Sequence, residues 1–398
     1  MNWIELIKNP EISQILAENE GADTAKLALK WAGKKELPVS FLITQISGRK
    51  IAAKKLPDWH QVKTIIYPDK TALEQCSSKL AAQNKQKFIP KGRIADLTGG
   101  LGVDTAAFAK ISNSVVYVEP NTSRILYATH NFDALGLHNI EFQHSTAEDF
   151  VVNLSPNEFD LIYLDPSRRD DHDRRAFRLS DLLPNVLQLK TQILRATPKL
   201  LLKVGPMLDI TEAIRELGKV TTVNVVSIKD ECKELLFYID EKATENPEII
   251  CTELFENKNS EFKFDYRNEK TLAASKGFIS NYLYDPQASI IKAGAYKSVA
   301  NYFELIKLNS NTHLYSGEQL ITFFPGRCYK VLGHFNYDIK NLKTEFKNKY
   351  YHLVFRNFPE DAEKVINKLN IKSGGDKYLF FYADVNQKPQ IVETERIY

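Results

Sequence analysis

The sequence predicts an α/β protein whose central part is a Rossmann-like parallel sheet with helices on both faces. Two observations carry this prediction. From Arg93 onward, short apolar strands alternate with helical segments through short links, a pattern typical of such sheets. The first strand also ends in a glycine-rich turn at residues 98–102, the place where sheets of this type bind their ligand.

The central part contains seven predicted strands and four predicted helices. The strands are Ile94–Leu97, Ser114–Val118, Ile140–Phe142, Phe159–Leu164, Lys199–Val204, Thr222–Ile228 and Glu234–Ile239. The helices are Val103–Lys110, Ser123–Leu135, Ser180–Leu194 and Ile210–Leu217. The last two strands are close enough in sequence to pair as an antiparallel hairpin. That ending separates the seven-stranded class I methyltransferase sheet from the sheet of a dehydrogenase, and we therefore predict the methyltransferase variant at residues 91–245.

The flanking regions differ from the centre in composition. Residues 1–90 show apolar residues at helical spacing, and residues 71–88 are predicted to form one helix because Leu73, Cys76 and Leu80 can share a face. After residue 245 the chain becomes richer in Asn, Lys and Tyr, and we expect a linker and a small α+β domain within 246–318, followed by a second small α+β domain at 319–398. The last of these has a predicted helix at Pro359–Leu369. Its predicted strands are Gln319–Phe323, Tyr351–Arg356, Tyr378–Tyr382 and Gln390–Val392.

Composition excludes several classes of protein. The formal net charge of +3 is nearly neutral, so bulk charge alone does not indicate nucleic-acid binding. The four cysteines form no CxxC pair, which argues against a zinc site. No apolar run is long enough to span a membrane, and the first ten residues lack the features of a secretory signal. We therefore expect a cytoplasmic protein without metal or membrane partner, whose oligomeric state the sequence leaves open.

The glycine turn is the strongest motif. Glycines let the backbone approach a ligand closely at the end of the first strand. Glu119 ends the second strand, 23 residues after Asp96, where an acid can accept hydrogen bonds from both ribose hydroxyls. This spacing also suits NAD, but the order Gly-Gly-Leu-Gly with Asp96 before it favours S-adenosylmethionine (SAM). The alternative is a tight structural turn followed by a surface acid.

The third strand is followed by residues 144–149, which we expect to contact the adenine edge. Many members of this class carry an acid where Thr146 stands, so the contact falls to a backbone amide or to Glu148. An ordinary helix N-cap at Ser145 or Thr146 is the alternative. The predicted cofactor-binding residues are Asp96, Thr98, Gly99, Gly100, Gly102, Asp104, Glu119, Pro120, Thr146, Ala147, Glu148 and Asp165.

The segment after the fourth strand holds the predicted catalytic residues, Asp165, Pro166 and Ser167. Amino-methylating enzymes commonly carry Asp/Asn-Pro-Pro and an aromatic residue at this position. The first residue and a backbone carbonyl accept hydrogen bonds from the target amine and orient its lone pair, so that positioning supplies much of the catalysis. Ser167 and Arg168 depart from that pattern, which puts stacking of a base on this segment in doubt.

Arg168 and Arg169 instead suggest recognition of phosphate or carboxylate. The charged run that follows, residues 170–175, is either a solvated loop or a lid that orders on substrate binding. A metal site at residues 170–173 carries little weight, because adjacent acids do not share a face in regular structure.

The chain resembles bacterial class I SAM-dependent methyltransferases with a C-terminal THUMP-like domain, found mostly in Bacteroidetes-type genomes. The residues that carry the resemblance are the segments 74–78, 96–104, 163–169, 231–236, 285–288, 291–295, 311–315 and 356–359. The resemblance implies a small ferredoxin-like domain at about 277–316, followed by the THUMP-like domain. Ferredoxin-like names a fold here, since the cysteine spacing excludes the usual iron–sulfur cluster.

THUMP domains accompany RNA-modifying enzymes, so the resemblance implies an RNA substrate. Together with the amine-methylating pattern at Asp165, this makes methylation of a base nitrogen of RNA the leading hypothesis. Arg327 and Arg356 are the predicted RNA contacts of the C-terminal part, which also holds other basic and aromatic residues: Tyr329, Lys330, Lys343, Lys347, Lys349, Tyr350 and Tyr351. A solvated basic face over an aromatic core explains the same residues. The alternative functions are methylation of a protein or small molecule, and a SAM- or RNA-binding module without catalysis.

Overall fold

The computed structural model describes residues 2–168, 178–241 and 246–398. The chain divides into two compact units. The first is Met1–Thr221 with Leu235–Glu245, and the second is Thr222–Glu234 with Asn246–Tyr398. Residues 1–90 and 91–221 therefore belong to the same unit, whereas residues 222–234 group with the C-terminal part.

The N-terminal region is helical, as the spacing of its apolar residues predicts. Its helices are α1 (Trp3–Lys8), α2 (Pro10–Glu18), α3 (Thr24–Trp31), α4 (Val39–Lys55), α5 (Pro57–Gln61), α6 (Lys70–Gln75) and α7 (Lys79–Lys85), with a 3₁₀ turn at Gln86–Phe88. The apolar faces of α1 to α4 bury a common cluster that includes Leu16, Trp31, Phe41 and Ile46.

The prediction of one helix over 71–88 is wrong, because the chain breaks between α6 and α7. The Asp69 side chain accepts a hydrogen bond from the Ala72 amide and caps α6. The Ser78 hydroxyl accepts one from the Ala81 amide and caps α7. A short polar side chain that bonds to the backbone amides competes with continuation of the preceding helix.

The central sheet confirms the predicted fold class. Of its nine strands in the described residues, those at the predicted positions are β1 (Arg93–Asp96), β2 (Ser114–Val118), β3 (Ile140–Gln143), β4 (Leu161–Leu164), β7 (Lys199–Val204), β8 (Val220–Ile228) and β9 (Glu231–Asp240). They lie in the order β3-β2-β1-β4-β7-β9-β8. The pairs among the first five strands are parallel, and β9 runs antiparallel to β7. The helices that follow the strands are α8 (Val103–Ala109), α9 (Thr122–Ala134), α10 (Ala147–Val152), α11 (Val186–Ala196) and α12 (Ile210–Leu217).

The closing hairpin is formed as predicted. Lys229 and Asp230, between β8 and β9, both have positive φ angles of 53° and 60°. Two left-handed residues in a two-residue loop are the geometry that matches the twist of paired strands. The hairpin places β9 between β7 and β8 in the sheet.

The predicted helix at Ser180–Leu194 begins later, at Val186. Pro184 disfavours helical geometry in the residue before it, and the Asn185 side chain accepts a hydrogen bond from the Leu187 amide to cap α11. The residues before the cap instead form β6 (Leu182–Leu183). This strand pairs antiparallel with β5 (Ser167–Arg168), directly after Asp165-Pro166.

In the second unit, two strands lie in a part of the chain for which no element was predicted. Strands β10 (Glu248–Leu254) and β11 (Ser260–Asp265) pair with each other antiparallel, and β10 pairs in parallel with β8. The helix α13 (Tyr266–Thr271) follows. The polar composition of 256–270 hides β11 because only Phe262 and Phe264, on its buried face, are apolar.

The rest of the second unit is built on a seven-stranded sheet in the order β13-β14-β12-β15-β18-β17-β16. Its strands are β12 (Tyr282–Pro286), β13 (Ile306–Lys307), β14 (Tyr315–Gly317), β15 (Gly326–Asn336), β16 (Tyr350–Arg356), β17 (Lys372–Ala383) and β18 (Pro389–Arg396). The helices are α14 (Ala288–Ala293), α15 (Tyr296–Tyr302), α16 (Ile339–Phe346) and α17 (Ala362–Leu369). The strand predicted at Gln319–Phe323 is wrong: these residues form turns and coil, and β15 starts only at Gly326, after Pro325. Within the part of the chain that the structure describes, no helix combines the length and the apolar composition needed to cross a membrane.

Candidate active site

A cavity of about 730 Å³ lies at the carboxyl ends of the central strands in the first unit. The structure brings the predicted cofactor-binding and catalytic residues together around it. Those that line it are Asp96, Thr98, Gly99, Gly100, Gly102, Asp104, Glu119, Pro120, Thr146, Ala147, Glu148, Asp165, Pro166 and Ser167. Their contacts with a ligand stay predictions.

The glycines of this turn are required by the packing of the core as well as by the close approach of a ligand. The Gly99 amide donates to the carbonyl of Val118 (3.0 Å), and a Cβ at Gly99 would lie 2.3 Å from the Tyr117 ring. Gly102 begins α8 with a φ of 81°, and a Cβ there would lie 2.3 Å from the Phe132 ring. Any larger residue at either position would therefore displace an aromatic side chain of the core.

Asp96 is buried at the end of β1. Its Oδ1 accepts the Thr98 amide (3.0 Å), and its Oδ2 accepts the Thr105 hydroxyl (2.6 Å). Burial raises the pKa of Asp96 to about 7, although both hydrogen bonds act in the opposite direction. A cation bound in the cavity would therefore favour the ionised form of the Asp96 carboxyl group.

Glu119 is buried at the end of β2 and is tied to the glycine turn. Its Oε2 accepts the Gly100 amide and its Oε1 the Asn121 amide, both at 3.0 Å. The Arg124 guanidinium lies 3.6 Å from Oε1. A carboxylate offers about four acceptor sites, so Glu119 keeps capacity for two further donors such as a pair of hydroxyls.

Asp104 is held by residues of the N-terminal helices. Its Oδ2 accepts the hydroxyls of Ser77 (2.8 Å) and Tyr163 (2.9 Å), and the fully buried Lys85 ammonium lies 3.3 Å from Oδ1. Burial acts to raise the pKa of Asp104, but the charges of Lys85 and Lys203 and the two hydroxyls hold it below its ordinary value. Asp104 is thus an ionised group with a neutralising partner.

Thr146 caps α10, which is the alternative considered for this position. Its hydroxyl oxygen accepts the Asp149 amide (3.1 Å) and its hydroxyl donates to the Asp149 carboxylate (2.8 Å). Thr146, Ala147 and Glu148 also line the cavity. The cap and the cavity position are compatible, because capping uses the side chain of Thr146 and leaves the following residues to face the ligand.

Asp165 lies directly after β4 and forms an ion pair with Lys203 of the neighbouring strand β7. Its backbone amide donates to the Thr98 hydroxyl (2.7 Å), which links it to the glycine turn. Lys203 was not singled out by the sequence reasoning. The signal was present, since Lys203 interrupts an apolar strand near its carboxyl end, where parallel neighbours converge.

The N-terminal region also supplies cavity-lining residues that the sequence reasoning missed. Ile66 exchanges two hydrogen bonds with the Asn131 side chain of α9, at 2.8 and 2.9 Å, and Pro68 follows in the same extended segment. Other lining residues from this region are Ala72, Gln75, Cys76 and Ser77. No local sequence pattern signals these contacts, because they join parts of the chain that are far apart in sequence.

The predicted substrate residues fall in different places. Arg168 lies in β5, where its backbone pairs with Leu182, but its side chain and Arg169 are outside the described residues. The predicted lid or metal run, 170–175, is also outside them. Among the described residues, no group of three or more His, Cys, Asp or Glu side chains could hold a metal ion.

Arg327 and Arg356 lie in the second unit, where both bind carboxylates. Arg327 contacts Asp230 (2.8 Å) and Asp285 (3.7 Å), and Arg356 contacts Asp285 at 3.2 Å. Asp285 is buried, so the two guanidinium groups compensate its charge. These arginines therefore have structural partners in addition to any role towards a substrate.

The other basic and aromatic residues of the C-terminal part separate into two groups. Tyr329 and Tyr351 are buried in the cores on the two faces of the sheet. The exposed residues are Lys330, Lys343, Lys347, Lys349 and Tyr350. Only the exposed group is available to a nucleic acid.

The charge of the cavity favours a cationic ligand. Among the described residues, five carboxyl groups line it, against the two cationic side chains of Arg124 and Lys203. A dinucleotide would place a pyrophosphate against these acids, whereas SAM carries a sulfonium and an ammonium. The charges of the described lining residues therefore favour SAM over NAD, the two cofactors that the glycine turn alone left open.

Comparisons with known proteins agree with this architecture. A crystal structure of a "putative methyltransferase" from Porphyromonas gingivalis W83 superimposes with a TM-score of 0.85 at 26% identity, over 97% of each chain. Residues 282–325 match a family described as a ferredoxin-like domain, and residues 326–396 match one described as THUMP domain-like. The predicted resemblance to methyltransferases with a C-terminal THUMP-like domain is confirmed.

Two further proteins match a smaller part of the chain. Over 81 residues, 20% of this chain, it is 36% identical to the 23S rRNA (uracil(1939)-C(5))-methyltransferase RlmD of Photobacterium angustum. The match spans 37% of that relative's length. A SAM-dependent methyltransferase from Agrobacterium tumefaciens covers 40% of this chain and 60% of its own, at 18% identity and a TM-score of 0.30, which is too low to support an argument.

Proposed function

We propose that this protein transfers a methyl group from SAM to a base nitrogen of RNA in the cytoplasm. One observation carries the proposal: Asp165-Pro166, at the end of β4, opens into the same acidic cavity as the glycine turn and Glu119. A site for a cationic cofactor and a site for an amine thus adjoin in one space.

The cavity residues fit SAM in three parts. Glu119 has spare acceptor sites for the ribose hydroxyls, and residues 146–148 border the region assigned to adenine. Asp96 suits the ammonium of the methionine part. SAM supplies a methyl group on a sulfonium, which is already a good leaving centre.

The chain's own contribution is positioning. The Asp165 carboxylate and the Pro166 carbonyl would accept hydrogen bonds from the target amine and direct its lone pair into the cavity. Lys203 fixes the Asp165 carboxylate from one side, and the Thr98 hydroxyl accepts its backbone amide from another. A rigid acceptor of this kind lowers the entropic part of the barrier.

A nitrogen target suits the site better than the carbon target in the name of the RlmD relative. The C5 carbon of uracil becomes nucleophilic only after a thiolate or similar group adds to the ring. Among the described residues, the cysteine that lines the cavity is Cys76. Its thiol donates to the Leu73 carbonyl (3.1 Å), and burial raises its pKa to about 11, so it is a poor source of thiolate.

The comparisons favour RNA over the alternative substrates. The C-terminal residues match a THUMP-like domain, and the curated relative is named for an rRNA reaction. Exposed lysines and Tyr350 in that domain can meet phosphates and stack on a base. A protein or small-molecule substrate has no comparable support, and the intact Asp165 site argues against a module without catalysis.

The proposal is tested by incubating the protein with tritiated SAM and RNA from a strain lacking the gene, then mapping the labelled nucleoside. We expect an N-methylated nucleoside from the wild type and no label from Asp165→Ala, with SAM affinity largely kept. Asp133→Ala, which removes an exposed carboxylate, is the matched control and should label RNA normally. A wild-type protein that labels no RNA, or an Asp165→Ala variant that labels it at the normal rate, would contradict the proposal.

A further inference from the structure

Strands β5 and β6 form a two-stranded ribbon. Its residue Leu183 and the following Pro184 form an apolar edge of the cavity beside Asp165. Ser167 pairs with Leu183 and Arg168 with Leu182, and continuing this register sets Pro166 opposite Pro184. Leu183 and Pro184 both line the cavity, together with Pro166. Residues distant in sequence from Asp165 thus adjoin the place where the target amine is proposed to lie.

The two leucines of β6 have different environments. Leu182 is buried at 6% exposure and anchors the ribbon in the protein, whereas Leu183 is 43% exposed although it lines the cavity. A large apolar side chain exposed at the mouth of a polar cavity is in contact with water. A flat ligand that covers it removes this apolar surface from water, which favours binding.

The edge is held in place on both sides. Ser167 pairs with Leu183 through the backbone, and Asn185, which follows Pro184, is buried and caps α11. The edge therefore has the rigidity that a positioning surface needs.

We infer that Leu183 and Pro184 form the surface on which the target nucleobase rests while Asp165 meets its polar edge; this inference rests on the proposed function. The sequence lacks an aromatic residue after Asp165-Pro166, and an apolar face from a separate strand supplies what that residue would provide. Bases turned out of a stack are held in this way, by apolar contact on the face and hydrogen bonds on the edge.

The edge belongs to the substrate side of the cavity rather than to the cofactor side. The residues assigned to SAM come from the ends of β1, β2 and β3, whereas Leu183 pairs with Ser167, two residues beyond Asp165. Loss of the Leu183 side chain should therefore weaken use of RNA without weakening SAM.

The test compares Leu183→Ala, Leu183→Met and wild type at limiting concentrations of total RNA from a strain lacking the gene, with tritiated SAM. We expect Leu183→Ala to lower kcat/KM for RNA about tenfold, the size of a lost stacking contact. Calorimetry should show a Kd for SAM within about twofold of the wild type, because the cofactor residues are untouched. Leu183→Met, which keeps the apolar volume, should restore most of the rate.

Leu29→Ala is the matched control, since Leu29 lies on α3 at 80% exposure and outside the cavity. Equal kcat/KM for Leu183→Ala and wild type would overturn the inference and leave the proposed function intact. A parallel loss of SAM binding would also overturn it, by placing Leu183 on the cofactor side. If the wild type labels no RNA, the proposed function fails and this inference fails with it.

Discussion

The Lys203 ammonium contacts the Asp165 carboxylate across two neighbouring parallel strands. Asp165 follows β4 and Lys203 lies near the end of β7, and the adjacent residues Leu164 and Leu202 are paired in the sheet. The Lys203 side chain is 14% exposed and the Asp165 side chain 32%. The ion pair is therefore partly withdrawn from solvent and fixes the direction in which Asp165 presents its oxygens.

Lys203→Met should reduce turnover more than binding. Without its partner the Asp165 carboxylate is free to rotate, and a displaced acceptor can lower kcat by about 100-fold while the KM for RNA changes little. Single-turnover transfer of tritiated methyl measures this, and Lys203→Arg should recover part of the rate. Lys199→Met, at the other end of β7, is the control. Unchanged kcat in Lys203→Met would show that the pair serves only the stability of the fold.

Glu119→Gln should weaken SAM binding. The amide keeps the shape of the side chain and an oxygen for the Gly100 amide, but it loses the negative charge that strengthens hydrogen bonds from hydroxyls. We expect the Kd for SAM to rise about 10- to 100-fold in calorimetry. Glu141→Gln, on the exposed end of β3, should bind normally. Normal SAM affinity in Glu119→Gln would remove Glu119 from the cofactor site.

The elements around these residues differ in how well the sequence predicts them. The strands of the central sheet are short apolar runs bounded by turns, so Ser114–Val118 and Lys199–Val204 have the predicted bounds. The cap signal at Asn185 was also present in the sequence, yet the longer apolar pattern led to a helix that starts too early. Local signals therefore compete, and a proline with a capping residue outweighs periodicity.

The residues of the candidate site also differ in how well the sequence predicts them. Those at the ends of strands, such as Asp96, Glu119 and Asp165, could be predicted because parallel strands bring their carboxyl ends together. The contact of Ser77 with Asp104 joins residues 27 apart, and it depends on how α7 packs on α8. Both residues lie in segments that carry the family resemblance, 74–78 and 96–104, but neither segment shows that they touch, so the contribution of the N-terminal region is visible only in the folded protein.

SAM binding should depend on pH through Asp96. Burial raises the pKa of Asp96 to about 7, and the neighbouring carboxylates of Asp104 and Asp165 act in the same direction. A cationic ligand favours the ionised carboxylate, so the affinity is highest above pH 7 and falls as the group is protonated. We expect the Kd for SAM to rise about tenfold from pH 8 to pH 6. Asp96→Asn should remove that part of the pH dependence, and an identical pH profile in this variant would exclude Asp96 as its source.

The buried Lys85 should matter for stability rather than for chemistry. Lys85→Met leaves the ionised Asp104 without its cationic partner at 3.3 Å, in a site where neither side chain is more than 10% exposed. Breaking a buried ion pair from one side costs about 3–5 kcal/mol in the free energy of unfolding. Because the pKa of Asp104 is lowered in the folded state, this stabilisation is present at neutral pH and is lost as the pH falls below the ordinary range of an aspartate.

Urea unfolding followed by tryptophan fluorescence measures this effect, since Trp3, Trp31 and Trp59 all lie in the first unit. The double variant Lys85→Met/Asp104→Asn removes both charges and should recover much of the lost stability at pH 7, because the orphaned carboxylate is gone. If Lys85→Met alone unfolds like the wild type, the ammonium does not neutralise Asp104. If the double variant is less stable than Lys85→Met, the hydrogen bonds from Ser77 and Tyr163 to the ionised carboxylate stabilise the fold by more than the unpaired charge costs.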